Sequence, residues 1–182
     1  MRRSLFPALV CAFAFAAAIA VPAAGARSLA PAPVQGAKVS ALDKMWLMSS
    51  IQTDLAEISA GKLALSKSSN LAVRRIAIRF IRDHTGLLRS GAALAARLGV
   101  PVPHSPSPTQ VWAAQILQTL RGRTFNHWYA SQEVAGHKES IQMTAFEIRN
   151  GTNSAVRQAA RMALPMLQAH LRLAQAALRA NP

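Results

Sequence analysis

The chain has 182 residues and a formal net charge of +14, from 21 Lys and Arg against 7 Asp and Glu. That length supports one domain with a proper core. The lone cysteine, Cys11, sits in the N-terminal apolar run. Once that run is removed, disulfides, thiolate metal ligands and thiol catalysis are excluded.

Residues 1–26 read as a cleaved signal peptide: a basic start at Met1-Arg2-Arg3, an apolar run from Leu5 to Val21, and a small-x-small site at Ala24-Gly25-Ala26. Residues 27–40, rich in Ala, Pro, Gly and Gln, read as a flexible leader. No later apolar run reaches the roughly 18 residues a spanning helix requires. The expectation is an exported protein, periplasmic or outer-membrane associated, with no transmembrane helix after signal removal. In that setting a basic surface meets anionic envelope polymer or membrane surface rather than nucleic acid. The abundance of Arg and Ala also fits a plainly solvated basic surface.

Residues 41–180 read as all-α, since no stretch alternates with period two. The first helix is expected over 41–68, with a small-residue face at Ala60, Gly61 and Ala64 for close helix approach. Asn70 caps a second helix over 71–98, which Gly99 and the prolines at 101, 103, 106 and 108 bring to an end. A short helix follows over 109–120, then a third long helix over 124–149 and a fourth over 153–179. Pro165 removes one backbone donor in the fourth and is expected to bend it. Helices 1–2 and 3–4 are joined by tight turns and must pack antiparallel. A long helix 2–helix 3 crossover carrying a short extra helix is the connectivity of a ferritin-like four-helix bundle.

The polar residues that face inward carry the functional signal. At about 100° per residue, His84 lies at the centre of a stripe containing Val73, Ile76, Ala77, Phe80, Leu87, Leu88, Leu94 and Ala95. Arg75, Arg79, Arg82, Arg89 and Arg97 fall on the far side. His137 and His170 occupy the same central position on the third and fourth long helices, and Glu133 shares the face of His137 at i,i+4. Counting outward from each turn puts His84 level with Glu57, and His137 level with His170. Three imidazoles and a carboxylate at one height fit a mononuclear or dinuclear transition-metal site for Zn, Fe, Cu or Mn, through His84, His137, His170 and either Glu57 or Asp54. Asp54, Asp83 and Glu133 are outer candidates. On the helical wheel Asp54 lies nearer the first helix's apolar stripe than Glu57 does. A hydrogen-bonded polar core without metal is the competing reading. No catalytic residue is assigned; Glu133 is the one inward base an enzyme could use. His104 and His127 read as structural or solvated, and Trp46, Trp112, Trp128 and Phe146 as packing residues.

Several segments together resemble a known family: Leu55-Ala-Glu-Ile-Ser-Ala-Gly-Lys-Leu-Ala-Leu65, Arg82-Asp-His-Thr85, Leu98-Gly-Val-Pro-Val-Pro103, Phe125-Asn-His-Trp-Tyr129 with Gly136-His137, and Ala163-Leu-Pro-Met-Leu-Gln-Ala-His-Leu171. Their order and spacing resemble the domain of unknown function 4142, over roughly residues 42–178. Its members are exported bacterial proteins regarded as ferritin-like and often labelled outer-membrane proteins. The resemblance implies roles for Glu57, Asp83, His84, His137, Pro165 and His170, and so favours Glu57 over Asp54. Asn126 stands where the family usually has Asp. The Glu-x-x-His pairs of di-iron ferritin-type proteins are missing, so oxidase or iron-storage activity does not follow from the fold. The expected role is metal handling or envelope stress tolerance.

Overall fold

The computed structural model describes residues 38–182; the expected signal peptide and nearly all of the leader lie outside them. The described residues form five helices: α1 (Ala41–Lys67), α2 (Leu71–Arg97), α3 (Pro108–Thr119), α4 (Gly122–Asn150) and α5 (Ser154–Arg179). None of these is long and apolar enough to cross a membrane.

Local chemistry sets the boundaries. Ser40 and Asp43 form a reciprocal capping box at α1, and Ser107 with Gln110 does the same at α3, where Pro108 takes the first turn. The Asn70 and Asn153 side chains accept from the first free N–H groups of α2 and α5. Gly99 closes α2 in the left-handed region at φ 66°. Gly151 follows α4 with φ −62°, so it does not end that helix by a left-handed turn. Its missing side chain instead makes room for Glu147, whose carboxylate and own carbonyl occupy the place a Cβ would take. α5 runs unbroken through Pro165.

α1 pairs with α2 and α4 with α5, while α1 also packs on α4 and α2 on α5. Trp46 bonds Thr144 near one end of α1 and Ser68 bonds Asn126 just past its other end, so α1 and α4 run antiparallel. α2 and α4 therefore point the same way. Residues 98–121 must return the full length of the bundle, about 40 Å for a helix of 27 residues. The result is a ferritin-like four-helix bundle with α3 in the crossover, laid against α1 and α4. The small-residue face of α1 does what its composition implies. Gly61 lies so close to α2 that an added Cβ would stand 2.7 Å from Ile81 Cγ1.

The core is in two parts. One apolar cluster gathers Val73, Phe80, Phe125, Tyr129, Ala174 and Ala177; the other gathers Trp46, Leu47, Ile51, Leu94, Val156 and Ala160. Between them lies a layer of polar side chains contributed by all four long helices: Asp54, His84, Glu133, His137 and His170, all buried, with Glu57 beside them. Trp46 is a core residue at 5% exposure, but Trp112, Trp128 and Phe146 are 65%, 45% and 50% exposed. The packing role expected of those three is therefore corrected. Trp112 lies on the outer face of a crossover helix that buries only Leu117, and the other two lie off the buried face of α4.

Candidate metal centre

Each long helix delivers polar groups to the middle layer at the height that counting from the turns implies. His84 of α2 meets Asp54 of α1, with Nδ1 2.8 Å from Oδ1. His137 of α4 turns its Nδ1 to the Glu133 carbonyl one turn back, at 2.8 Å. His170 of α5 turns its Nε2 to Asp83 Oδ2 at 3.0 Å. The rings are packed against one another and against Phe80, which stacks on His170 at 4.2 Å between centroids.

These outer contacts decide which ring nitrogens remain free. A carbonyl can only accept, so His137 Nδ1 carries the proton and Nε2 a lone pair. Asp83 is ionised: burial raises its carboxyl, but hydrogen bonds from Arg82, His170 and Arg79 hold it well below the usual carboxylate range. It therefore accepts from His170 Nε2–H, and His170 Nδ1 keeps its lone pair. Those two unprotonated nitrogens face each other at 3.3 Å. Burial pushes both rings away from the charged form, His137 downward and His170 down to about 4, where the nearby His84 charge adds to the effect. Burial also disfavours charge on His84, but the Asp54 bond and the carboxylates of Glu57, Asp54 and Asp83 outweigh it and raise its pKa. His84 Nε2 is buried without a hydrogen-bond partner.

One nitrogen from each of His84, His137 and His170 lies within 4.8 Å of the others. Two nitrogens bound about 2.0–2.1 Å from a tetrahedral zinc-like ion stand about 3.4 Å apart, close to the His137–His170 spacing of 3.3 Å. The outer nitrogens tied to Asp54, Asp83 and a carbonyl are the usual support of metal-ligating imidazoles. The donor set therefore fits a divalent transition metal.

Glu57 is not at this point of convergence. It groups with Glu133 and His137, its Oε1 4.0 Å from His137 Nδ1, on the opposite edge of the ring from His170. Burial pushes Glu133 well above the usual range, helped by the Glu57 charge; the imidazoles of His84 and His137 hold Glu57 low against its own burial. Asp54 is the direct partner of His84, and Asp83 the partner of His170. Asn126 is spent on Ser68 outside the layer. His127 bonds the Asn181 carbonyl and His104 is exposed, as structural or solvated residues. Tyr129, buried beside Glu133 with its pKa raised by burial and by that neighbour, was hidden in the sequence behind its role as an aromatic core residue.

Two comparisons bear on the chain as a whole. A family model described as Domain of unknown function (DUF4142) matches residues 28–177. A crystal structure of a DUF305 fragment from Deinococcus radiodurans superposes with a TM-score of 0.69 at 16% identity, covering 78% of this chain and 98% of that one. At such identity the likeness speaks to the fold alone. No curated protein matches.

Proposed function

We propose that this chain, which belongs to the DUF4142 family (a domain of unknown function), is an exported protein that holds one divalent transition-metal ion on His84, His137 and His170. Its role on this reading is metal handling or envelope stress tolerance, not a defined turnover. The observation that carries the proposal is the pair of buried nitrogens, His137 Nε2 and His170 Nδ1, facing each other at 3.3 Å with neither able to donate. A cation between them relieves that opposition. The competing hydrogen-bonded core needs one of these rings to be an imidazolium, which burial disfavours at both His137 and His170. Imidazole donors with carboxylates behind them suit Zn, Cu or Fe, and Mn less well. When bound, the ion supplies positive charge and a Lewis-acid centre. The protein's own residues orient the rings and exclude most water. A cavity of about 250 Å³, lined by His84 and Asp54 among largely apolar side chains, reaches the layer from one side.

Protein purified without a histidine tag, stripped and reloaded with Zn²⁺, is expected to retain one equivalent per chain by elemental analysis. Retention well below one equivalent after reloading defeats the proposal. Asp83→Asn keeps the shape of the side chain but weakens its grip on His170 Nε2–H, and should lower Zn²⁺ affinity about 10–100-fold in a chelator competition.

A further inference from the structure

We propose that Glu57 and Glu133 form a second cation position, of different chemistry from the three-histidine centre, which takes a hard divalent ion such as Mn²⁺ from the groove beneath α3. The two carboxylates and His137 each bring one atom within 4.8 Å of the others. His137 Nδ1 lies 3.6 Å from Glu133 Oε2, but it already donates its proton to the Glu133 carbonyl and has no lone pair to give. The donors at this position are therefore oxygens, which suit Mn²⁺, Mg²⁺ or Ca²⁺ rather than the ions preferred by imidazole.

Two observations point to an occupant. Glu133 is 4% exposed, and its Oε2, like Glu57 Oε2, has no hydrogen-bond partner, although the Glu133 carboxyl faces Glu57 itself and the Tyr129 hydroxyl. Among the described residues, no Lys or Arg is ion-paired with either carboxylate. In a chain with 21 Lys and Arg, none lines the groove of about 770 Å³ that leads to them. Its polar lining is neutral or acidic, including Gln52, Gln110, Gln132 and Glu139. α3 roofs this groove and is anchored there by Gln110 Nε2 donating to Thr53 at 3.1 Å. A hydrated cation thus passes no Lys or Arg among the lining residues on its way to two carboxylates that face the ring edge of His137 and are ion-paired with no Lys or Arg.

The test uses the full chain, stripped of metal and then given one equivalent of Zn²⁺ to fill the histidine centre. Mn²⁺ is added and the free ion followed by electron paramagnetic resonance. One further equivalent is expected to be taken up. The isosteric variants Glu57→Gln and Glu57→Gln/Glu133→Gln should weaken that uptake at least about tenfold while Zn²⁺ content stays at one equivalent. A His84→Ala/His170→Ala variant should lose Zn²⁺ and still bind Mn²⁺, which separates this proposal from the preceding one. If the free-ion signal rises in full from the first addition, the pair shares a proton only and the proposal is overturned. Loss of Mn²⁺ uptake in the histidine variant overturns it equally, because the ion would then belong to the first centre.

Discussion

His137→Ala is expected to lower Zn²⁺ affinity by at least about a thousandfold, beyond the 10–100-fold that outer partners contribute. It is also the cleanest of the three histidine truncations. The group behind His137 is the Glu133 carbonyl, a backbone acceptor within α4 that does not depend on this side chain. Removing the ring therefore strips a ligand without breaking a hydrogen-bonded ion pair, since Glu133 and Glu57 stand 3.6 and 4.0 Å from its Nδ1. His84→Ala differs in that it leaves Asp54, 4% exposed, without its partner. Breaking a buried pair by removing one member costs about 3–5 kcal/mol. Metal-free His84→Ala should thus melt well below metal-free His137→Ala, although both lose the ion. Differential scanning fluorimetry separates the two effects. Zn²⁺ at a thousandfold excess over Kd stabilises a binding protein by about 4 kcal/mol, or about 8–16 °C for a domain of this size. The wild type should show that rise and His137→Ala should not. An equal rise in both would remove His137 from the ligand set.

The second large effect lies at the N-terminal end of α1, about three turns from the histidine layer. Asp43 accepts from Ser40 N at 2.7 Å and Ser40 Oγ at 2.6 Å, and across the bundle from Thr152 N at 3.0 Å, Thr152 Oγ1 at 2.7 Å and Asn153 N at 3.1 Å. One buried carboxylate therefore caps α1 and clasps the α4–α5 turn to it. Asp43→Ala should cost about 3 kcal/mol or more, since each hydrogen bond to a charged group contributes about 1.5–3 kcal/mol and several donors are orphaned together. In urea this reads as a lower midpoint with unchanged slope. The pH dependence has a definite sign. Burial raises the Asp43 carboxyl, but these bonds from Ser40, Thr152 and Asn153 overcome it and hold the pKa below its ordinary value of 3.8. Its contribution is thus fully present above about pH 4 and is lost as the pH falls through the folded value. Glu147 works in the other direction. Burial, with the neighbouring Asp43 charge, pushes it up to about 7 from 4.5. The folded state then binds more protons than the unfolded chain between those values, and stability declines as pH rises across that window. Urea midpoints should therefore peak in the mildly acidic range, and Glu147→Gln should flatten the decline towards neutral pH. A wild-type profile rising steadily from pH 5 to 8 would contradict this account of Glu147.

Much of this was legible in the sequence, for identifiable reasons. Helix faces repeat over many turns, so the stripe around His84 and the heights of His137 and His170 could be counted from the tight turns at 68–70 and 151–153. Side-chain direction at a single position is harder. The wheel placed Asp54 nearer the core and the family pattern placed Glu57 in the site; the structure puts both in the polar layer, on different rings. Asp54 reaches His84, whereas Glu57 lies beside His137 with Glu133. The ordering of ring nitrogens was not legible, because it depends on which outer acceptor each imidazole finds. The clasp at Asp43 left a local trace in the Ser40-x-x-Asp43 capping box, but its partners at Thr152 and Asn153 are more than a hundred residues away. Trp112, Trp128 and Phe146 were misplaced because residue type says how apolar a side chain is, not which side of its helix faces the bundle.

The division of the core into two apolar clusters with a charged storey between them also bears on how the chain finds its alignment. Antiparallel helices with purely aliphatic seams can slide past one another by a turn and still bury similar area. Here such a slip would carry Asp54, Glu133 or a histidine into the Phe80–Phe125 or Leu47–Ile51 cluster, where no partner awaits it. Only one axial setting of α1, α2 and α5 lets Asp54 meet His84 and Asp83 meet His170 at once, and the His137–His170 contact ties α4 to it. The polar storey thus acts as a vernier for the bundle, selecting its alignment before any ion arrives.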